Sequence, residues 1–311
     1  MSDLIAGNGP IYQTRIQMAP WAPLNVYLVK GSAYAVLIDS GIKSMFPQFV
    51  ETMQRASVGD GDLKFILHTH SHHDHIGCNG QLKARTGCLI AAPDTYAAWH
   101  ADFERHYQEF ARPFPHLMPD TPELRTEVFE ILDEPVPLDL FIDEGVQFNL
   151  GGGVNLRAYS LPGHLMAELG WFEESTRSLI LGDAVTMLEG PFFHSHLTVS
   201  GYRATLDKLE RLLGELDLKA VLMAHFDPMR PPAFRELIGK ARQYVDEIEA
   251  TMIRLAASAD SQTLEQLWRG TCQQLGRKEE FRALNMVHAH VQDLIERGIL
   301  LETEQHLYRL R

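Results

Sequence analysis

Leu67-His68-Thr69-His70-Ser71-His72-His73-Asp74-His75-Ile76-Gly77 is the stretch that decides the fold. His70, His72, Asp74 and His75 stand in the pattern H-x-H-x-D-H. The apolar run Phe65-Ile66-Leu67 precedes them, and β-capable residues bounded by turn signals read as a buried strand. A cluster that begins where such a strand ends lies in a loop at one edge of a sheet. Imidazoles and a carboxylate at this density cost solvation and need a compensating partner, for which a divalent cation is the economical choice. The spacing lets His70 and His72 face one ion while Asp74 and His75 turn to a second. The plain alternative is a solvated histidine-rich tract.

The chain has 311 residues, of which 45% are apolar, enough for one large domain, a small one and a substantial core. Its net charge of −13 argues against a polyanion as the main partner. Cys78, Cys88 and Cys272 form neither a CxxC pair nor a paired framework, which fits a reducing compartment. Residues 1–8 carry no basic, apolar leader pattern, and no long apolar run occurs, so the expectation is a cytoplasmic protein with no membrane partner.

Outward from the motif, Asn25–Val29 and Tyr34–Ile38 read as a hairpin around Lys30-Gly31-Ser32, and Ser44 is placed to cap a helix reaching Arg55. Gln81–Arg85 reads as a short helix and Cys88–Ala91 as a strand, so strands alternate with helices in an α/β layered domain. Across 94–139 the pattern changes. Trp99, Phe103, Tyr107 and Phe110 recur at helical spacing in a helical insertion, read first as packed core and second as a lid over a substrate. The strand pattern resumes at Phe141–Gly145, continues in Val146–Leu150 and Val154–Tyr159, and runs into Leu161-Pro162-Gly163-His164. Leu169–Glu173 and Ser178–Leu181 follow as strands, the latter ending in Gly182-Asp183. A helix over Tyr202–Leu216 leads to strand Lys219–Met223, which ends in Ala224-His225. Each ligand-type residue thus follows a β run, and all can gather at one edge.

This ordered set, over roughly residues 10–240, resembles the metallo-β-lactamase superfamily. The resemblance implies an α/β fold, an αββα sandwich with two divalent metal ions at one edge of its facing sheets, zinc first and iron or manganese after it. It implies that His70, His72 and His164 hold the first ion, that Asp74, His75 and His225 hold the second, and that Asp183 bridges both, with Asp39 supporting them from behind. The chemistry stands on its own as well. Two dications about 3.5–4 Å apart need bridging anions, and such ions lower the pKa of bound water from 15.7 to about 7. The expected activity is a dinuclear metal-dependent hydrolase in which a metal-bound hydroxide attacks a small ester, thioester or lactone, with Asp74 and Asp183 as catalytic groups. The alternatives are a metallo-nuclease or phosphodiesterase, and a non-catalytic regulatory binder of a metabolite. The stretch Leu165-Met166-Ala167-Glu168-Leu169 departs from the Gly and second His or Ser that the family often carries there, which affects the pocket rather than the ligands.

His68, on the strand side of the cluster, reads as a supporting histidine, and His73 as pointing outward between the ligands. Phe192, Phe193, His194 and His196 lie just beyond Asp183, where a loop would overhang the ions and offer an apolar wall or an oxyanion contact to a small-molecule substrate. Residues 1–240 form the expected catalytic domain and 241–311 a helical, winged-helix-like C-terminal domain. Helices are read over Lys240–Ala257, after a cap near Ser261–Glu265, and over Glu279–Arg297, followed by two short strands. With nine Lys/Arg against eleven Asp/Glu, this tail has no basic footprint for nucleic acid, and packing on the catalytic domain or homodimerisation is the expected role.

Overall fold

The computed structural model describes residues 9–186, 188–193 and 195–311. β1 (Ile11–Ala19) and β2 (Ala22–Lys30) form an antiparallel hairpin, and β3 (Ala35–Ile38) pairs antiparallel with β2. α1 (Phe46–Arg55) leads to β4 (Leu63–Leu67), after which the short α2 (His73–Ile76) and α3 (Asn79–Thr86) lead to β5 (Leu89–Ala92). The insertion folds as α4 (Ala97–Ala101), α5 (Phe103–His106), a wide π turn over Tyr107–Ala111 and α6 (Pro122–Phe129), before β6 (Leu140–Phe141). β3 to β6 run parallel, completing a six-stranded sheet in sequence order.

The second sheet is built from β7 (Gln147–Gly151), β8 (Val154–Ser160), β9 (Leu169–Glu173) and β10 (Ser178–Leu181) as an antiparallel meander. α7 (Val199–Glu215) then crosses over to β11 (Ala220–Met223), which lies parallel to β10. α8 (Pro231–Ala257), α9 (Leu264–Gln274), α10 (Phe281–Glu296) and an antiparallel ribbon of β12 (Leu300–Glu302) and β13 (Tyr308–Leu310) complete the chain.

Burial explains the layering. Between the sheets lie Tyr27, Val29, Val36, Ile38 and Leu67 from one face and Leu156, Trp171, Ile180 and Leu222 from the other. The outer face of the first sheet packs on Phe49 and Met53 of α1 and Leu82 of α3. The outer face of the second packs on Leu206 and Leu209 of α7 and Ile238 and Val245 of α8, and the same core runs on into Trp268 of α9 and Leu284 and Val287 of α10. This is an αββα sandwich.

Several local readings differ from the structure for identifiable reasons. β1 gives no strand signal in the sequence because it is an edge strand whose Gln13, Thr14, Arg15 and Gln17 break the apolar pattern. α1 begins after Ser44 without a side-chain cap, with Pro47 in its first turn. α8 starts nine residues before Lys240 because Pro231 and Pro232 sit where the first-turn N–H groups lack partners anyway. β6 stops at Phe141, and both its residues are exposed. The cap before α9 is Thr263, in a reciprocal box with Gln266. No helix among the described residues is long and apolar enough to cross a membrane.

Trp171 is wholly buried between the sheets, against Phe148. Trp171→Ala is expected to cost about 3–5 kcal/mol of stability, read as a lower urea midpoint with an unchanged slope; a midpoint within error of the parent would show that the inter-sheet core lies elsewhere.

Candidate metal centre

Strand direction gathers the site. β3 and β4 are parallel in one sheet, and β8, β10 and β11 share a direction in the other, so the loops leaving these strands emerge along one edge of the sandwich. From β4 come His70, His72, Asp74 and His75, from the β8–β9 loop His164, from β10 Asp183, and from β11 His225. The two edges are sewn together. Leu169 N–H donates to Thr69 O (2.7 Å), and the Asn25 side chain donates to Met223 O (2.9 Å) and Phe226 O (2.7 Å) on either side of His225.

The donor atoms converge in three overlapping groups. Nε2 of His70 and of His164 lie 3.2 and 2.8 Å from Nδ1 of His72. Nε2 of His225 lies 3.2 Å from Asp74 Oδ2 and 3.5 Å from Asp183 Oδ1, and His75 Nε2 is 3.7 Å from the same Asp183 oxygen. The other Asp183 oxygen, Oδ2, is 3.4 Å from His164 Nε2. Asp183 therefore turns Oδ2 toward His164 and Oδ1 toward His75 and His225. Ligands about 2.0–2.1 Å from one ion lie roughly 3.3 Å apart at a tetrahedral edge, close to these separations. His75 Nε2 is buried without a hydrogen-bond partner and faces this centre. The residues fit a pair of divalent cations.

The supporting contacts are equally specific. Asp39 adopts a positive φ of 64°, a strained value for a non-glycine residue that places its carboxylate under the histidine loop. Its oxygens accept from Thr69 N–H (2.7 Å), Thr69 Oγ1 (2.8 Å) and His75 Nδ1 (2.9 Å), which fixes the tautomer that turns Nε2 inward. His68 is buried 3.4 Å from Asp39 and bonded to Asn79 (3.0 Å). His164 Nδ1 is held by Ser195 O, and His225 Nδ1 by Pro23 O (2.9 Å). Gly163 has φ 144° and lies so close to the Tyr202 backbone that a Cβ would collide with it.

The electrostatics divide the site in two. Burial, reinforced by their mutual crowding, holds His70 and His72 well below the ordinary imidazole pKa, and burial also lowers His164 against the pull of Asp183. Burial acts the same way on His75, but Asp74, Asp39 and Asp183 outweigh it and raise it to about 9. Asp183 and Asp74 likewise overcome burial and raise His225 to about 10. Burial would push the Asp74 carboxyl up, yet His75 and His225 hold it well below its usual range.

Comparison with known proteins gives the family. The profile described as the Metallo-beta-lactamase superfamily matches residues 19–225. The chain belongs to the metallo-beta-lactamase superfamily. A hydroxyacylglutathione hydrolase from Methylococcus capsulatus is 26% identical over 212 residues, 66% of this chain and 66% of that protein, so the match spans about two thirds of the relative's length. The crystal structure of a metallo-beta-lactamase family protein from Thermus thermophilus superposes with a TM-score of 0.75 at 19% identity, covering 97% of this chain and 99% of the other. A beta-lactamase domain protein from Burkholderia ambifaria gives 0.71 at 16% identity, covering 97% and 93%. The His/Asp cluster lies in the floor of a cavity of about 350 Å3.

The cavity walls correct part of the sequence reading. Phe192 lines it, but Phe193 is wholly buried in the core beneath. His196 is also buried: it stacks on Tyr202 and bonds His290 of α10 at 2.9 Å, so it faces the protein interior instead of a substrate. His194 lies outside the described residues. His73 does not point outward; it is buried against His106 and Phe110 and reaches the cavity. In the insertion, Trp99, Phe103, Tyr107 and Phe110 form a packed core with Ile76, Leu165 and Phe281, and of these Phe110 also lines the cavity, its ring 4.1 Å from that of His72. Met18 and Trp21 at the β1–β2 turn, Glu127 and Ile131 of the insertion and Arg282 of α10 also line it. Sequence reasoning missed these. It also missed the wholly buried Glu168, whose Oε1 accepts from Asp183 N–H (2.7 Å), although its stretch departs visibly from the family pattern.

The two halves of the centre are expected to load differently with pH. Imidazoles already neutral at pH 7 release no proton when a cation binds, whereas His75 and His225 hold theirs until about pH 9–10. In zinc titrations with a competing chelator, affinity at the His70–His72–His164 group should be nearly flat from pH 6.5 to 8.5, while affinity at the Asp74–His75–His225 group should climb by up to about a hundredfold per pH unit if both protons leave. Equal pH slopes for both would contradict this assignment.

Proposed function

We propose that the protein is a dinuclear metal hydrolase, loaded with zinc, that cleaves an acyl thioester. The observation that carries this is the convergence of His70, His72, His164, Asp183, Asp74, His75 and His225 beneath one apolar-walled cavity. The first three would hold one ion, Asp74, His75 and His225 the other, with Asp183 between. Bound there, the ions would supply Lewis acidity and a nucleophile at neutral pH.

The chain's own residues do the rest. Asp74 stays ionised, and its Oδ2 faces His225 while the carboxylate edges the cavity, where it can accept and orient the proton of an attacking water. Trp21, Phe110 and Phe192 exclude bulk water from the acyl group. Among the described residues the cavity holds no free acid for a departing alkoxide: burial keeps His73 at about 4, hence neutral at pH 7, and the other histidines in the floor would serve as ligands. That favours a leaving group stable as an anion, and a thiolate with a parent pKa of about 8.5 suits better than an alkoxide. The Methylococcus relative, named a hydrolase of hydroxyacylglutathione, points to the same bond. A soluble setting and a small-molecule substrate without nucleic acid or membrane complete this reading.

The test is turnover by zinc-loaded protein on matched thioesters, oxygen esters and lactones. Thioesters should be cleaved fastest, and Asp183→Ala or His70→Ala should lower kcat/KM by about 10³-fold or more. Undiminished activity in either variant would falsify the mechanism.

A further inference from the structure

The segment Arg277-Lys278-Glu279-Glu280-Phe281-Arg282 enters α10 directly behind the loop that carries Phe192. Arg277 donates to the carbonyls of Gly190 and Leu188, and Lys278 N–H donates to Pro191 O (2.8 Å), so this segment fixes the loop. Two cations flank the Phe192 ring: Lys278 Nζ lies 4.8 Å from its centroid and the Arg282 guanidinium carbon 5.7 Å. Phe192 and Arg282 both line the cavity above the metal centre.

The partners of Arg282 show what it is shaped to hold. On the protein side, Nη1 donates to Glu280 (2.7 Å), whose other oxygen caps the first turn of α10. On the cavity side, Nη2 donates to Glu127 (2.6 Å), a half-exposed carboxylate of the insertion. Those two bonds use two of the five guanidinium N–H groups, and the guanidinium lies over the Phe281 ring (4.3 Å to its centroid) with its edge toward the cavity. Glu279 is taken up by Arg269, and no described carboxylate lies within 4 Å of the Arg277 or Lys278 side-chain nitrogens. Arg282 lines the cavity, and Arg277 and Lys278 stand beside the loop that carries Phe192, so three cations face Glu127 and Glu280 here in a chain of net charge −13. A buried-edge guanidinium of this kind recognises a planar carboxylate in preference to a neutral group.

We propose that Arg282, assisted by Lys278, is a specificity-determining residue that seats a carboxylate at the far end of the substrate, so that the thioester cleaved is an acidic one. This rests on the hydrolase reading above for the bond that is broken, while the seat itself is tested without turnover. Glu127 occupies the cavity side of Arg282 until substrate arrives, and the incoming carboxylate shares or displaces that bond.

The probes are two thioethers of N-acetylcysteamine, S-(3-carboxypropyl) and S-butyl, which match in length and cannot be hydrolysed, together with the succinyl and butyryl thioesters. By calorimetry on the zinc-loaded protein, the carboxylate thioether should bind at least about tenfold more tightly than its neutral partner. Arg282→Met should erase the difference, Arg282→Lys should keep part of it, and Lys278→Met should reduce it. Glu127→Gln should tighten the charged ligand several-fold, an effect that a purely structural role for the ion pair would not produce. In turnover the preference should reside in KM, with kcat similar for the two thioesters. Equal binding of the two thioethers by the parent protein, or a preference that survives in Arg282→Met, overturns the seat and leaves the hydrolase standing. Arg282-dependent binding without cleavage of any thioester supports the seat and removes the hydrolase. Should Arg282→Met prove unfolded by circular dichroism, the parent's own preference and the Glu127→Gln shift decide the matter.

Discussion

Crowded imidazoles and carboxylates at the edge of two sheets are the constraint around which this fold is arranged. Withdrawn from water, such groups cost several kcal/mol each unless paired, and a buried group without its counter-charge neutralises itself instead. The side chains' own proton affinities follow that tendency. His70, His72 and His164 escape by losing protons, whereas His75 and His225 escape by keeping theirs against Asp74 and Asp183. Dications satisfy both halves at once. The strained backbone of Asp39 and the bonds from Thr69 belong to the same problem, since a donor set this dense must be held in place by groups that make no bond to the cation themselves.

The two sheets therefore carry more than a core. Each contributes donors, so the distance between the sheets sets the distance between ligands. Asn25 and Tyr27 of the first sheet bond the carbonyl of Met223 in the second, next to His225, and Leu169 N–H reaches back to Thr69 O in the histidine loop. Close packing around Trp171 makes that spacing stiff. Stability and metal geometry share these contacts, which is why a motif of short, scattered pieces specifies a site at all.

What was legible in the sequence follows the same division. The candidate donors were readable because they follow buried β runs, as a cluster after β4 and singly after β8, β10 and β11, and β runs here are uninterrupted enough to be seen from pattern alone. The edge strand β1 was not, because one exposed edge removes the apolar alternation. Phe193 and His196 were misread for a different reason. Nearness in sequence to Asp183 said that the loop overhangs the centre, but not which of its side chains turn down: Phe192 faces the cavity, while Phe193 and His196 turn into the core. Arg282 left no local signal, since an arginine near a helix start is ordinary; only the tertiary path of α10 over the loop at 188–193 brings it into the cavity.

That path bears on how the molecule divides its labour. Packing was the role expected of the C-terminal helices, and they do share one core with α7 and the second sheet. Yet α10 also supplies a cavity wall, facing Glu127 from the insertion across the mouth. The donors that make the chemistry come from loops bound to both sheets, where movement is costly. Much of the wall comes from the β1–β2 turn, the insertion and α10, which contribute no residue to the His/Asp cluster, and Phe192 adds to it from the loop after Asp183. A change of wall residue can thus alter what enters without moving a ligand, and the rigid half of the site constrains the reaction far more tightly than it constrains the substrate.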